Sequence, residues 1–411
     1  MNTSAVYLDH AATTQLSGAA LQAVTAQFAR TGNPSSLHGA GRAANRVVDE
    51  ARQQIARAAG AHPSEVIFTS GGTESDNLAL KGLYWNRVAA NPQATKILLS
   101  GIEHHAVLDT AEWLAAHEGA ELVWMPVGRD GVLDLPAATA LLDEHHERIA
   151  LATLMWANNE VGAVQPVTEL ARHAAGYQIP VHTDAVQAFT AVATDFAASQ
   201  VATMAISAHK IGGPVGIGAL LVRRDVVLTP VQHGGGHERK LRSGTLNAAL
   251  AAGFAAAAQE AAAQREAEYE RLAGLRDYAV AEISRSIPEA QLNGPADAGH
   301  TQARLPGNLH YTFPGCEGDS LLFVLDMLGI CSSTGSACTA GVPQPSHVLL
   351  AMGRDARSAR SVQRFTFGHS TTRADVDRLL EALPEAYARA KKAGMAADES
   401  SIHTAGTGFT R

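Results

Sequence analysis

Lys210 is the last residue of the sequence Ser-Ala-His-Lys, which follows the apolar run 202–206 and precedes a Gly-Gly-Pro turn. Lysines usually lie on solvated surfaces, and this ordinary role stays open for Lys210 taken alone. A lysine in a partly desolvated position has a lowered pKa, and its neutral amine forms a Schiff base with a carbonyl compound. Its place at the end of a predicted strand therefore indicates a Schiff-base lysine.

Asp184 ends another predicted strand, 26 residues before Lys210. A carboxylate at the carboxyl end of a strand points into the crevice where open α/β sheets bind ligands. Pyridoxal phosphate is a cofactor that needs such a carboxylate, because a protonated pyridine nitrogen makes its ring an electron sink. A helix N-cap is the alternative role for Asp184.

Gly72 and Thr73 stand between a predicted strand and a predicted helix. Glycines let a ligand approach the backbone closely, and the N–H groups and dipole of a helix N-terminus bind phosphate. An ordinary Gly-Gly turn capped by Thr73 is the alternative.

The run Glu103-His104-His105 could serve a metal or an aromatic cofactor. Its spacing does not give the i, i+4 histidine pair of a helical zinc site. A flat imidazole that stacks on a cofactor ring is the other functional reading. Since the chain has 18 histidines, two of them can also be adjacent by chance, without any functional role.

Cys338 has small and polar neighbours on both sides, in the sequence Gly-Ser-Ala-Cys-Thr-Ala-Gly. Buried structural cysteines normally have large apolar neighbours. A cysteine on an exposed, flexible segment can approach a cofactor, react as the thiolate and carry the product outward. Cys331 is expected in the core, and Cys316 in a turn.

Short apolar runs must position these residues. They predict strands at 65–69, 96–100, 122–125, 149–155, 180–183, 203–207 and 218–222. Because helical stretches separate them, the pattern predicts an α/β domain with a mainly parallel sheet. A long Ala-rich helix follows at about 250–284, then strands at 308–312 and 362–367 and helices at 320–328 and 373–392, typical of a smaller α+β domain. The expected division is 15–255 for the large domain, and 1–14 with 256–392 for the small one. The segment 393–411, rich in small and polar residues, is predicted to be disordered.

Composition excludes several classes of protein. The net charge is −8, so the chain has no overall basic surface for nucleic acid or anionic membranes. Three cysteines in 411 residues do not form a disulfide framework, and a reducing, cytoplasmic setting is expected. The first ten residues lack the pattern of a signal peptide, and no apolar stretch is long enough to predict a transmembrane helix.

Taken together, the motifs form an ordered set. They are 7–14, 32–36, 72–77, 103–104, 158–162, Asp184 with Gln187, 207–210, 233–239, 242–245 and 335–339. This set resembles the NifS/IscS-type cysteine desulfurases, within the class V aminotransferase family and the fold-type I pyridoxal-phosphate enzymes. The resemblance covers nearly all of residues 5–390, and as an ordered set it is highly specific.

The resemblance implies a role for each matching residue. Lys210 would carry the cofactor and move protons, Asp184 would pair with the pyridine nitrogen, and His104 would stack on the ring. Residues near the ring hydroxyl and the phosphate would be Asn159, Gln187, Gly72, Thr73, Ser207 and His209. The resemblance also implies that Thr245 of a partner subunit completes the phosphate site, which makes the active enzyme a homodimer. Asn33 and Arg364 would bind the substrate carboxylate.

The implied reaction converts L-cysteine to alanine and leaves a persulfide on Cys338. An acceptor for iron–sulfur cluster assembly or tRNA thiolation would then take the sulfur. No resident metal is expected, although Cys338 could transiently ligate an iron–sulfur unit at an acceptor interface.

Two departures from the family pattern are Gln15, where proline is usual, and Gln363, where an apolar residue is usual. The second bears on Arg364, because a one-residue shift in a strand turns a side chain to the other face.

Three alternatives stay open. A selenocysteine lyase or an aminotransferase would share every motif except the need for Cys338. A non-catalytic scaffold would keep the fold without the chemistry. A His-rich metallohydrolase would contain metal and lack the absorbance of pyridoxal phosphate.

Overall fold

The computed structural model describes residues 5–297, 301–335 and 344–404. The helices are α1 (Gly18–Phe28), α2 (Gly39–Ala58), α3 (Gly72–Ala90), α4 (His105–Glu118), α5 (Leu135–His145), α6 (Val167–Ala175), α7 (Phe196–Ser199), α8 (Ala248–Ser286), α9 (Gly318–Met327), α10 (His347–Ala351), α11 (Ala356–Arg360) and α12 (Arg373–Thr404). The strands are β1 (Val6–Tyr7), β2 (Val66–Thr69), β3 (Lys96–Ser100), β4 (Glu121–Met125), β5 (Ile149–Thr153), β6 (Val181–Asp184), β7 (Thr203–Ser207), β8 (Gly218–Val222), β9 (Gln291–Leu292), β10 (Asn308–Thr312), β11 (Ile330–Cys331) and β12 (Val362–Thr366).

Within these residues, a seven-stranded sheet has the order β2-β8-β7-β6-β5-β3-β4. Strand β8 runs antiparallel to both of its neighbours, and the other pairs are parallel. Most of its strands are buried on both faces, which is why they read as continuous apolar runs in the sequence. The α/β fold and the mainly parallel sheet are confirmed.

Helices cover both faces of this sheet. Alternate residues point to opposite faces, so Phe68 joins the core under α2, α6 and α8, whereas Ile67 joins the core under α3 and α4. A further core lies around β10 and β12, where Leu309 and Phe365 pack against α9, α12 and the end of α8. The amino-terminal strand β1 pairs with β11 and contributes Val6 to this core.

Helix α8 belongs to both regions, because Phe254 lies in the core under the large sheet and Ile283 in the core around β10. The domain limits at 14/15 and 255/256 therefore stay predictions. Helix α12 runs to Thr404, so 393–404 is helical where the sequence predicted disorder. This segment lacks an amphipathic pattern, but its alanine, methionine and glutamate residues favour helix. The prediction overlooked that helix propensity. The rest of that tail, 405–411, lies outside the described residues.

Across the described residues, no helix is both long and apolar enough to cross a membrane.

Candidate active site

A cavity of about 250 Å³ opens at the carboxyl ends of β5, β6 and β7. It is lined by Gly72, Thr73, Asp76, His104, Met155, Asn159, Asp184, Val186, Gln187, Ser207, His209 and Lys210. Every position predicted to contact the cofactor is on this wall except Thr245. The edge of the sheet where the strands end has therefore brought these residues together, as expected for a parallel α/β sheet.

Lys210 lies in a short 3-10 turn directly after β7. Its Nζ donates hydrogen bonds to the carbonyl oxygens of Ala11 at 2.6 Å and Ala12 at 2.7 Å. Burial lowers the pKa of Lys210 to about 8, and the positive charge of Arg364 acts in the same direction. The amine is therefore much closer to its neutral, nucleophilic form at neutral pH than a surface lysine is.

Asp184 is the last residue of β6 and is 6% exposed. Its Oδ1 accepts a hydrogen bond from the Val186 amide at 2.8 Å, but no helix begins there, so it is not a helix N-cap. Burial raises the pKa of Asp184, while His104 and Lys210 oppose the rise. No arginine or lysine of the described residues forms an ion pair with this carboxylate. A ligand with an N–H⁺ group would supply the missing positive partner of the Asp184 carboxylate.

His104 is the N-cap of α4, where its Nδ1 accepts a hydrogen bond from the Ala106 amide at 3.1 Å. This bond fixes the ring at the cavity wall. Burial lowers the pKa of His104, so the ring is mainly neutral. Its two neighbours point elsewhere, because Glu103 accepts hydrogen bonds inside the protein and His105 contacts Asp109. The metal alternative for this run thus lacks a common centre, and the described residues contain no group of three side chains that could hold a metal ion.

The N-terminus of α3 has no side-chain cap, since Gly71 stands at the N-cap position. Ser207 lies nearby on the cavity wall, and its Oγ is buried without a hydrogen-bond partner. A buried hydroxyl without a partner can donate a hydrogen bond to an oxygen atom of a bound ligand. His209 is held by Thr13, whose Oγ1 lies 3.2 Å from the ring Nδ1. Together with Asp184, these groups fit a phosphorylated pyridine.

Arg364 reaches the site from β12. Its Nη1 donates to the carbonyl oxygen of Asn159 at 2.9 Å, and its Nη2 to Oδ1 of Asp9 at 2.8 Å. The Nε of the same guanidinium is buried without a partner. Gln363 turns to the other side, where its Nε2 donates to Ser332, so the register keeps Arg364 on the side facing Asn159.

Other predicted residues lie apart from the cavity. Asn33 is exposed, and its Oδ1 accepts a hydrogen bond from the Ser35 amide. Thr245 lines a different pocket with Ser70 and Arg242, so its predicted role in a partner subunit's site stays a prediction. Cys338 lies outside the described residues.

The other cysteines are free thiols. Cys316 is buried, its Sγ contacts the Phe313 carbonyl oxygen, and burial raises its pKa to about 12. Cys331 is only half-buried, which differs from its predicted core position, and burial raises its pKa as well. Neither thiol has the lowered pKa of a reactive cysteine.

Two residues were not predicted from the sequence. Asp76 lines the cavity, and His182 contacts the carboxyl group of Asp76. A signal was present, because His182 precedes Asp184 by two residues on one strand and therefore shares its face.

This chain is similar to known proteins over nearly its whole length. The family model described as aminotransferase class V matches residues 6–379. The IscS-like cysteine desulfurase of Mycobacterium tuberculosis is 52% identical over 393 residues, which cover 95% of this chain and 98% of that protein. The cysteine desulfurase NifS of Azotobacter vinelandii is 37% identical over 386 residues, 93% of this chain and 93% of that one.

Solved structures agree with this relationship. A NifS-like protein superposes with a TM-score of 0.83 and 34% identity, covering 93% of this chain and 98% of its own. The structure of SspA in complex with cysteine gives a TM-score of 0.73 and 32% identity, covering 88% and 98%.

Proposed function

We propose that this chain, which belongs to the class V aminotransferase family and within it to the cysteine desulfurases, uses pyridoxal phosphate to remove sulfur from L-cysteine. The observation that carries the proposal is the shared cavity of Lys210, Asp184 and Ser207. It contains a partly neutral amine, a buried carboxylate without a cationic side-chain partner, and an orphaned hydroxyl beside an uncapped helix.

These residues suit different parts of the cofactor. The α3 N-terminus at Gly72 and Thr73, with Ser207 and His209, would hold the phosphate, and Asp184 would hold the ring nitrogen in its protonated form. His104 would stack on the ring, with Asn159 and Gln187 near the ring hydroxyl. When bound, pyridoxal phosphate supplies an electron sink for the charge that develops on the substrate α-carbon.

Lys210 performs the proton transfers. Its Nζ, held by the carbonyl oxygens of Ala11 and Ala12, removes the proton from the substrate α-carbon and returns one later. A lysine with a pKa near 8 suits both directions, because it gains and loses a proton near neutral pH.

Arg364 binds the substrate carboxylate, and Asn33 is the second residue proposed to contact that carboxylate. Its Nη1 already donates to the Asn159 carbonyl oxygen and its Nη2 to Asp9. The partnerless Nε and the remaining N–H groups are then left to donate to a ligand oxygen.

The sulfur step uses Cys338 as a nucleophile. Its thiolate forms a bond to the substrate sulfur, and the carbon–sulfur bond breaks with its electron pair remaining on carbon. Protonation of that carbon gives the methyl group of alanine, and a persulfide remains on Cys338. The raised pKa values of Cys316 and Cys331 support this choice among the three cysteines.

A homodimer would complete the site, with Thr245 of each subunit binding the phosphate in the other. The placement of Thr245 outside its own subunit's cavity supports this arrangement. The sulfur acceptor would be a protein of iron–sulfur cluster assembly or tRNA thiolation. A cytoplasmic location is supported by the sparse, odd set of cysteines.

One assay tests the proposal. The purified protein is incubated with L-cysteine, pyridoxal phosphate and a thiol reductant, and alanine and sulfide are both measured. Equal amounts of the two are expected, with none from Lys210→Ala. Sulfide without alanine would contradict the desulfurase reaction, since simple elimination yields pyruvate instead.

A further inference from the structure

A second buried carboxyl group, Asp76, lies in the cofactor cavity beside Asp184 and has no role in the reaction described above. It is in the second turn of α3 and is 1% exposed. Of the described side chains, only His182 lies at ion-pair distance from it. An isolated ionised carboxylate in such a place would be strongly destabilised.

His182 connects Asp76 to the neighbouring strand. Its Nε2 lies 3.1 Å from Oδ1 of Asp76, and its Nδ1 lies 2.9 Å from Oγ1 of Thr203 on β7. The imidazole and the threonine are both fully buried. Burial lowers the pKa of His182 to about 3, so the ring is neutral and carries one N–H.

The position of that N–H depends on the proton of Asp76. When Asp76 is ionised, Nε2–H of His182 donates to it and the Thr203 hydroxyl donates to Nδ1. When Asp76 is protonated, it donates to Nε2, and Nδ1–H donates to Thr203 instead. In both arrangements the two ring nitrogens of His182 and Oδ1 of Asp76 keep a hydrogen bond, so Asp76 can hold a proton without leaving either ring nitrogen unpaired.

The surroundings decide between the two arrangements. Asp184 faces His104 and Lys210, which stabilise its negative charge. Burial raises the pKa of Asp76, and the negative charge of Asp184 raises it further. Two neighbouring carboxylates in a dry site do not both stay ionised. Lys210 and His104 stabilise the charge of Asp184 and not that of Asp76, so Asp76 takes the proton.

We propose that Asp76 retains a proton, which it donates to Nε2 of His182, so that the negative charge of this carboxyl pair is confined to Asp184, the carboxylate that would hold the ring nitrogen. Asp76 thus acts through Asp184: by staying neutral, it keeps the negative charge on Asp184. The consequence for the cofactor rests on the proposed function, whereas the proton on Asp76 is a property of the chain itself.

Infrared spectroscopy of the holoenzyme at neutral pH tests the proton directly, because a protonated carboxyl group has a C=O band separate from the carboxylate bands. Asp76→Asn is expected to remove one such band. The exposed Asp49→Asn is the matched control and should remove only carboxylate absorption. Loss of carboxylate absorption alone in Asp76→Asn would overturn the proposal.

Glu103 needs its own control, because burial raises its pKa to about 8 and it also contributes a protonated band. Glu103→Gln should remove a band different from that of Asp76. If Asp76→Asn fails to fold, unsubstituted protein with carbon-13 in its aspartate side-chain carboxyls gives a second test of whether a buried aspartate is protonated. A protonated aspartate band must then shift with the label, and no shift would refute the proposal.

The absorbance of the bound cofactor, titrated with pH in the absence of substrate, tests the consequence. Because an amide replaces a neutral acid, Asp76→Asn should leave the midpoint unchanged. If Asp76 were ionised, removing its charge would move the midpoint by about one pH unit or more. A protein that does not bind the cofactor would fail this titration, yet its infrared spectrum would still report the proton.

Discussion

The guanidinium of Arg364 lies 2.8 Å from the carboxylate of Asp9, and this ion pair joins β12 to the amino-terminal segment beside the cavity. Arg364 is 5% exposed, so its orientation is fixed by these contacts rather than by solvent. A fixed guanidinium with unused N–H groups is a suitable receptor for a carboxylate.

Arg364→Lys should therefore weaken binding of L-cysteine. Lysine keeps the charge but loses the planar fork that binds two oxygens. Loss of one hydrogen bond to a charged group predicts a rise in KM of about tenfold to a hundredfold. Steady-state kinetics measure it, and the cofactor absorbance without substrate should stay unchanged. An unaltered KM would remove Arg364 from the substrate site.

Lys210 should make cofactor loading depend on pH. Only the neutral amine attacks the aldehyde of pyridoxal phosphate, and the pKa of Lys210 is lowered to about 8. The rate of reconstitution of the apoenzyme should thus rise with pH and reach half its maximum near pH 8, measured by stopped-flow absorbance. A half-maximum at about pH 10, as for an ordinary lysine, would contradict the burial argument. Arg364→Gln should move the half-maximum upward, because it removes a positive charge that lowers this pKa.

Ser207→Ala should separate cofactor affinity from folding stability. Its Oγ has no partner within the protein, so its removal should leave the unfolding free energy of the apoenzyme nearly unchanged. It should raise the Kd for pyridoxal phosphate by about tenfold to a hundredfold, since a hydrogen bond to a charged phosphate is lost. Fluorescence titration and urea unfolding measure the two quantities.

The matched control for this prediction is Ser199→Ala. Ser199 is equally buried, but its Oγ donates to the Phe196 carbonyl oxygen at 2.8 Å. This substitution should lower the unfolding free energy and leave the Kd for the cofactor unchanged. The opposite pattern in the two variants would show that Ser207 serves folding rather than the phosphate.

The sequence predicted the sheet well because its signal is local. The strand predicted at 203–207 has the same bounds in the structure, since each of its residues is buried and apolar or small. The residues at strand ends, such as Asp184 and Lys210, follow from the same signal, because parallel strands deliver their carboxyl ends to one edge.

Contacts between distant segments could not be predicted in this way. Asp76 lies in the motif 72–77 and His182 lies two residues before Asp184, but the two are 106 residues apart, and no local pattern shows that they contact each other. The pairing of β1 with β11 involves only two residues on each side, too few for a periodic pattern. The contact between Lys210 and Ala11 joins backbone to side chain, and no side-chain pattern records such a bond.

Cys338→Ala should stop sulfur transfer while the cofactor site stays intact. The variant should keep the absorbance of the bound cofactor, because Lys210, Asp184 and Ser207 are unchanged. It should form no protein persulfide with L-cysteine, and alanine production should fall to background. Alkylation of the protein followed by mass spectrometry measures the persulfide.

The control for this prediction is Cys331→Ala. The thiol of Cys331 has a raised pKa and should not be needed for the attack. Full alanine production in Cys338→Ala would assign the attack to another thiol, and loss of the persulfide in Cys331→Ala would identify it.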